Sequence, residues 1–483
     1  MIPDFSTYID KWENLVRSGQ GDLVKTEIEK LKPHDVHERY YGALCNLARR
    51  VGAYGFAFSF FKNYYFENES KGFEEDFLGE YAALVSEVGA SSVGTKLFNK
   101  ITNPSLAKTY YLKGLYYMRS WQYKDAENQW DEFLKHEKQD YWIQIGQLNF
   151  AACLIHNKKF SHAEDILKQL EISKSQLSQM SLGILNELWG EYYFFNNDHS
   201  KALECFTKSK DVLNDSNSPT YFYAQKWVHI IELMNGNVDS SWQQFRQQSL
   251  EYGYWEIVRE LDKYWALKQK NENLIKRLYF GTPFNEYKEN LIQFFNWQPP
   301  SEYNTAPEQE ISFDRKSLTF FSQDNEVSST PLFQNLLYHL SLDLYRPTSS
   351  AYLFDCIYKD QYYSPEFANQ RVYSLMTRFR KFCEENSINI DVSASHLGFS
   401  VNTTESSLLY STGETQLPKT DDHGLIIEEI KARYMNNEEF ISRDIVEIFS
   451  VSPRTANRIL SKGVEAGDFI KMGQSKSTKF KVK

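Results

Sequence analysis

Residues 441–482 read ISRDIVEIFSVSPRTANRILSKGVEAGDFIKMGQSKSTKFKV. A short helix is expected over 443–449, with Ser442 placed to cap it. Ser450, Val451 and Ser452 then turn the chain. Ser452 is a good N-cap residue, Pro453 suits the first helical position, and Gly467 suits a helix stop, so a second helix is predicted over 453–466. Its apolar side is Ala456, Ile459, Leu460 and Gly463, and its other side carries Arg454, Thr455, Arg458, Ser461 and Lys462. Beyond it, 468–472 and 478–482 alternate as strands around a turn at 473–477. That hairpin carries Lys471, Lys476, Lys479 and Lys481 on or near it. A helix is also expected ahead of this stretch, over 425–434, from the phase of Leu425, Ile426, Ile430 and Ala432.

Two short helices, a three-residue turn and a polar second helix follow the helix-turn-helix plan. With its hairpin, the run from Ile441 to Ile459 resembles the winged helix-turn-helix of DeoR-like and related bacterial transcription regulators. The resemblance implies a second helix in the DNA major groove. Arg454, Thr455, Arg458 and Lys462 would then face bases and phosphates, and the wing lysines Lys471, Lys476 and Lys479 would grip the backbone. Charge agrees locally. From 441 to 483 there are nine Lys or Arg against four Asp or Glu, a local +5 in a chain of net charge −10. The local field, not the sum, attracts phosphates.

Upstream, short strands are predicted at 312–314, 317–321 and 326–327. Thr330 and Pro331 open a helix to about 342, a second spans 349–358, and a third runs from about 364 to 385. On the third, Val372, Met376, Phe379 and Cys383 form an apolar stripe, while Arg371, Ser374, Arg378 and Lys381 recur on another face. Strand-like runs follow at 389–392 and 397–401, around a turn at 393–396. This block, 311–401, resembles the effector domain of OmpR/PhoB-type response regulators through its order of elements, its Arg378-Phe379-Arg380-Lys381 run and its Gly398-Phe399 pair. The resemblance implies a second winged-helix domain whose third helix reads DNA through Arg371, Ser374, Arg378 and Lys381. Its overall charge is close to neutral, and only the third helix is basic.

Residues 1–298 read as successive amphipathic helices of roughly 12–16 residues. Gly114, Tyr117, Tyr123, Ala126, Trp130 and Phe133 fall at small, aromatic and apolar positions that recur. The next unit holds Ala151, Leu154, Phe160, Ala163, Leu167 and Leu170, and the one after it Gly190, Tyr193, His199, Ala202 and Phe206. A small residue on one helix lets the next cross closely. The spacing is somewhat longer than the 34-residue period of the tetratricopeptide family, which these units resemble. The resemblance implies an α-solenoid whose concave face binds a protein, peptide or small-molecule signal. Pro-rich 298–312 and Thr/Ser-rich 402–422 are expected to be linkers. The expected fold is therefore mainly α: a helical-repeat solenoid over 1–298, then two small α+β winged-helix domains at 311–401 and 422–483.

Composition fits a globular chain: 483 residues, 41% hydrophobic and 24% charged. Five scattered cysteines with no CxxC pair point to thiols in a reducing compartment. There is neither a basic start followed by an apolar core nor an apolar run of about 18 residues, so a cytoplasmic protein without a membrane span is expected. Gly89-Ala90-Ser91-Ser92-Val93-Gly94-Thr95-Lys96 has the wrong ending for a phosphate loop and sits among helices. His34 and His37 lack further ligands. No catalytic, metal or cofactor set is found, so no enzyme is expected. The resulting expectation is a sequence-specific transcription regulator that binds double-stranded DNA and senses a signal on its repeats. Such readers often work as homodimers, although two modules in one chain offer another route to paired half-sites. The alternative is a non-enzymatic scaffold, since repeats followed by a winged helix also resemble PCI-type subunits of eukaryotic lid complexes.

Overall fold

In the computed structural model the described residues are 5–17, 20–68, 71–213, 219–237, 240–358, 361–418, 422–434, 438–449, 451, 453–473 and 478–483. The chain is mainly helical, with a few small sheets toward its C-terminal end. It divides into two compact units. The first comprises the residues up to Ile101 together with Asn304–Ser341 and Thr348–Lys483. The second comprises Thr102–Tyr303 and Leu342–Pro347.

The first unit opens with α1 (Ser6–Arg17), α2 (Gly21–Ile28), α3 (Tyr41–Arg50), α4 (Tyr54–Asn68), α5 (Glu75–Glu87) and α6 (Ser91–Lys100). Aromatic rings fill the space between α3, α4 and α5: Tyr41 meets Phe61 edge-on at 5.4 Å, and Phe61 meets Phe77 at 5.1 Å. Such offset and edge contacts are the preferred arrangement of ring quadrupoles. Glu80 on α5 is fully buried and is held by the Asn46 amide at 2.8 Å and by Arg49.

The second unit is mainly helical, with α7 (Ala107–Arg119), α8 (Tyr123–His136), α9 (Asp140–His156), α10 (Phe160–Ile172), α11 (Gln179–Phe195), α12 (His199–Leu213), α13 (Pro219–Met234), α14 (Ser240–Glu251), α15 (Trp255–Gln269), α16 (Glu272–Phe280) and α17 (Asn285–Phe295). Consecutive helices pack in pairs, α7 on α8, α9 on α10 and α11 on α12. The small residues singled out in the sequence lie at these crossings. A methyl group on Gly114 would stand 2.7 Å from the Trp130 ring, and one on Gly190 would stand 2.4 Å from Phe206. Ala126, Ala163 and Ala202 are fully buried. Past residue 215 the small-residue spacing fades but the helices continue, around Phe222, Trp227, Ile230 and Ile257. Arg259 is fully buried there, with its guanidinium on the Asp343 carboxylate at 2.9 Å and near the Tyr345 ring. A paired, hydrogen-bonded guanidinium is the form in which a buried charge is tolerated.

β1 (Glu302–Asn304) falls at the division between the units, and the first unit continues with β2 (Phe313–Asp314), β3 (Thr319–Ser322), β4 (Asn325–Val327), α18 (Pro331–Leu340), α19 (Ser350–Ile357), α20 (Pro365–Glu385), β5 (Val392–Ser395), β6 (Gly398–Val401) and β7 (Leu408–Ser411). Thr330 caps α18 through its hydroxyl, where the sequence places a cap, and Ser349, expected as the first residue of the next helix, caps α19 in the same way. The sheet order is β1-β7-β2-β3-β4, with β7 parallel to β2, while β5 and β6 form a separate hairpin. The stretches read as linkers therefore contain strands. In 402–422, Leu408 and Tyr410 point into the core, and Ser406 and Ser407 are fully buried. Their hydroxyls replace water as partners: Ser406 Oγ accepts from the Asp391 amide at 2.8 Å and Ser407 Oγ donates to Asn304 at 2.8 Å. A Thr/Ser-rich composition hid a strand of only four residues.

The unit ends with α21 (Asp422–Arg433), β8 (Glu439–Phe440), α22 (Ser442–Phe449), α23 (Pro453–Glu465), β9 (Phe469–Met472) and β10 (Lys479–Val482). The three strands form an antiparallel sheet in the order β8-β10-β9.

Candidate nucleic-acid interface

The C-terminal helices owe their placement to one apolar cluster. Ile426, Ile430, Ile445, Phe449, Ala456, Ile459, Leu460, Phe469 and Phe480 are all buried in it. On α23 the buried positions are Ala456, Ile459, Leu460 and Gly463, so the helix can present only its other face. Gly463 sits against the hairpin, where a methyl group would stand 2.3 Å from the Phe469 ring. Gly467, with φ +79°, lies just past the helix end, where a left-handed residue is favoured. Ser452 and the turn around it, named above as cap and turn, fall partly outside the described residues, as does Lys476.

The outward face of α23 carries Arg454, Arg458 and Lys462, all exposed, with Thr455 half-buried. Lys471 on β9 and Lys479 on β10 are exposed on the adjacent hairpin. Lys479 binds the Glu439 carboxylate at 2.7 Å, a bond that raises the lysine pKa and lowers that of the acid. Ser442 lies within α22 and does not precede it; its hydroxyl donates to Asn457 on α23 at 2.8 Å, tying the two helices together. The two-residue strand β8 is not among the strands expected from the sequence.

The four expected contact residues of α20 fare differently. Arg371 is not presented to solvent: it is 7% exposed, its guanidinium lies 3.9 Å from the Tyr358 ring centroid, and it donates to Gln361 Oε1. Aromatic faces on several sides make it an interior cation. Ser374 and Arg378 line a crevice of about 280 Å³ whose other side includes Arg433, Ile448 and Phe449. Lys381 is exposed and stands 3.6 Å from Glu385. Arg433 joins Arg371 and Arg378 in that crevice without any sequence signal, since the contact is made across some sixty residues of chain.

The phosphate-loop-like stretch also resolves. The start of α6 is occupied by a carboxylate: Asp355 accepts from the Ser92 amide at 2.8 Å and from the Ser92 hydroxyl at 2.6 Å. The positive end of that helix is thus compensated within the protein.

In the helical unit, a groove of about 820 Å³ runs along α13 and α14, lined by Gln225, His229, Asn237, Gln244 and Gln248 among others. A buried ionisable group lies on neighbouring helices. Burial, and then the adjacent Glu191 carboxylate, hold the Glu187 pKa well above the usual carboxylate range. Burial lowers that of His156, which stacks on Tyr123 at 4.1 Å. Among the described residues no group of His, Cys, Asp and Glu is placed to hold a metal ion, and no helix is long and apolar enough to cross a membrane. None of the five cysteines forms a disulfide.

Compared with known proteins, the chain matches no protein-family model and no curated protein sequence.

Proposed function

We propose that this chain is a cytoplasmic, non-enzymatic, sequence-specific transcription regulator. The helices and strands from α21 to β10 are read as a DeoR-like winged helix-turn-helix, with α23 as the recognition helix and the β9–β10 hairpin as the wing. The block 311–401 is read as an OmpR/PhoB-type winged helix, and, of residues 1–298 expected to form a tetratricopeptide-like solenoid, α7–α17 carry that reading. The observation that carries the DNA reading is the exposed row Arg454, Arg458 and Lys462 on α23 beside Lys471 and Lys479. These side chains have the chemistry of phosphate and base-edge contact.

The helical unit supplies the signal site in this reading. Carboxamides of Gln225, Asn237, Gln244 and Gln248 along its groove both donate and accept, which suits the alternating amides and carbonyls of an extended peptide. The test of the whole reading is a binding series of the full chain against genomic fragments at rising salt. A preferred fragment, with affinity falling log-linearly in salt, is the expected result. Absence of any preference over bulk DNA removes the regulator reading.

A second reading, a scaffold subunit, draws on the interior position of Arg371 and on the crevice that α20 shares with Arg433 and Phe449. Under it, the middle block keeps its fold for packing, and DNA affinity stays at the nonspecific level.

A further inference from the structure

Within the first unit a cavity of about 310 Å³ is lined by residues of α4, α5, α6, the segment 361–363 and the start of α23. That volume is at the lower end for small-molecule sites. Tyr65 and Tyr363 are among its aromatic walls, and Lys96 and Lys100, one turn apart on α6, border it. No Asp or Glu is among its lining residues, in a chain whose net charge is −10.

Gln361 gives the cavity its direction. It is 7% exposed, and its Oε1 accepts from the Arg371 guanidinium. Arginine has no acceptor, so this bond fixes which end of the amide is oxygen. The NH2 end is therefore the one left over, and Nε2 has no hydrogen-bond partner among the described residues. A buried donor in that condition is destabilising, and a bound acceptor relieves it. Two ammonium groups and one amide NH2 only donate, so the complementary ligand accepts hydrogen bonds and is negatively charged. The rings call for a flat apolar body on the same molecule.

We propose that this cavity is a binding site for a small aromatic carboxylate. The carboxylate is held by Lys96, Lys100 and the Gln361 NH2 group, and the ring lies among the tyrosines. The site is separate from the peptide groove of the helical unit and stands without the DNA reading. Its regulatory consequence rests on that reading: Val451 and Thr455 form part of the wall, so an occupant bears directly on the start of α23.

The test is calorimetric titration of the full chain with 2-naphthoate, and with uncharged 2-naphthamide for comparison. The acid is expected to bind about tenfold or more tightly than the amide, a difference typical of charge-assisted hydrogen bonds. Gln361→Glu keeps an oxygen for Arg371 and places a carboxylate oxygen where the NH2 group was; it should weaken naphthoate binding by about tenfold or more. The double variant Lys96→Gln/Lys100→Gln changes two exposed side chains and should do the same, and it decides the matter if Gln361→Glu fails to fold. Equal affinity for the two naphthalene probes, no heat at millimolar naphthoate, or unchanged affinity in the lysine variant overturns the site. In a second arm, duplex affinity is measured with and without saturating naphthoate. A change supports the coupling to α23. Unchanged duplex affinity overturns the coupling alone, and absence of duplex binding by the ligand-free chain overturns the DNA reading instead.

Discussion

The guanidinium of Arg371 lies over the ring of Tyr358, 3.9 Å from its centroid, with Gln361 accepting from its edge. A cation placed so is part of the interior of the first unit. Periodicity puts Arg371 on a helix face with Ser374, Arg378 and Lys381; those three are exposed, and Arg371 alone is covered, by residues from elsewhere in the chain.

Arg371 is accordingly expected to matter for stability and not for DNA. Arg371→Ala removes a desolvated cation–π contact and leaves Gln361 without its donor, a loss of about 2 kcal/mol or more. Chemical denaturation should show a lower midpoint. The salt dependence of DNA binding should keep its slope, because no phosphate contact is lost. A slope reduced by about one, the signature of a missing phosphate contact, would return Arg371 to the interface.

Gly463 is expected to resist even the smallest side chain. A methyl group there would stand 2.3 Å from the Phe469 ring, so α23 and the hairpin must separate or the ring must shift. Gly463→Ala should cost about 1–3 kcal/mol, as overpacking does. Thermal melts of Gly463→Ala and of Gly463→Ala/Phe469→Leu separate steric crowding from helix propensity: the double variant should recover part of the loss. Propensity alone gives the opposite sign, since alanine favours a helix by about 1 kcal/mol over glycine.

Glu187 makes stability depend on pH. Burial, followed by the Glu191 carboxylate, raises its folded pKa well above the ordinary value. The folded state then binds a proton that the unfolded chain releases above roughly pH 4.3, so this group lowers stability as pH rises through that window. Glu187→Gln keeps the neutral shape and has no proton to lose. Melting temperatures should coincide at pH 4 and favour the glutamine variant increasingly toward pH 7. Identical pH profiles would show that Glu187 is ionised in the folded protein.

Much of this was legible because local physics fixes it. Thr330-Pro331 and Ser349 marked helix starts, and Gly467 marked a helix end, since caps and left-handed residues act within one turn. The apolar face of α23 was readable from Ala456, Ile459, Leu460 and Gly463. The strands β8 and β1 escaped, while the equally short β2 and β4 fell within runs expected at 312–314 and 326–327. Long-range partners escaped as well. That Asp355 would cover the start of α6, or that Gln361 would meet Arg371, depends on which helices pack together, and single-chain periodicity does not encode it. Arg454, Arg458 and Lys462 of α23 are exposed, as the apolar face opposite them implies, whereas Arg371 is buried by partners that its own helix does not supply.

The most direct measurement is the affinity of the full chain for its preferred genomic fragment and for bulk DNA across a salt series, in the native protein and in Arg458→Ala. The expected result is a preferred fragment, a preference lost in Arg458→Ala with the melting temperature unchanged, and a salt slope smaller by about one if Arg458 also meets a phosphate. Equal affinity of the native chain for every fragment, or a preference untouched by Arg458→Ala, would contradict the assignment of α23 as the DNA-reading helix.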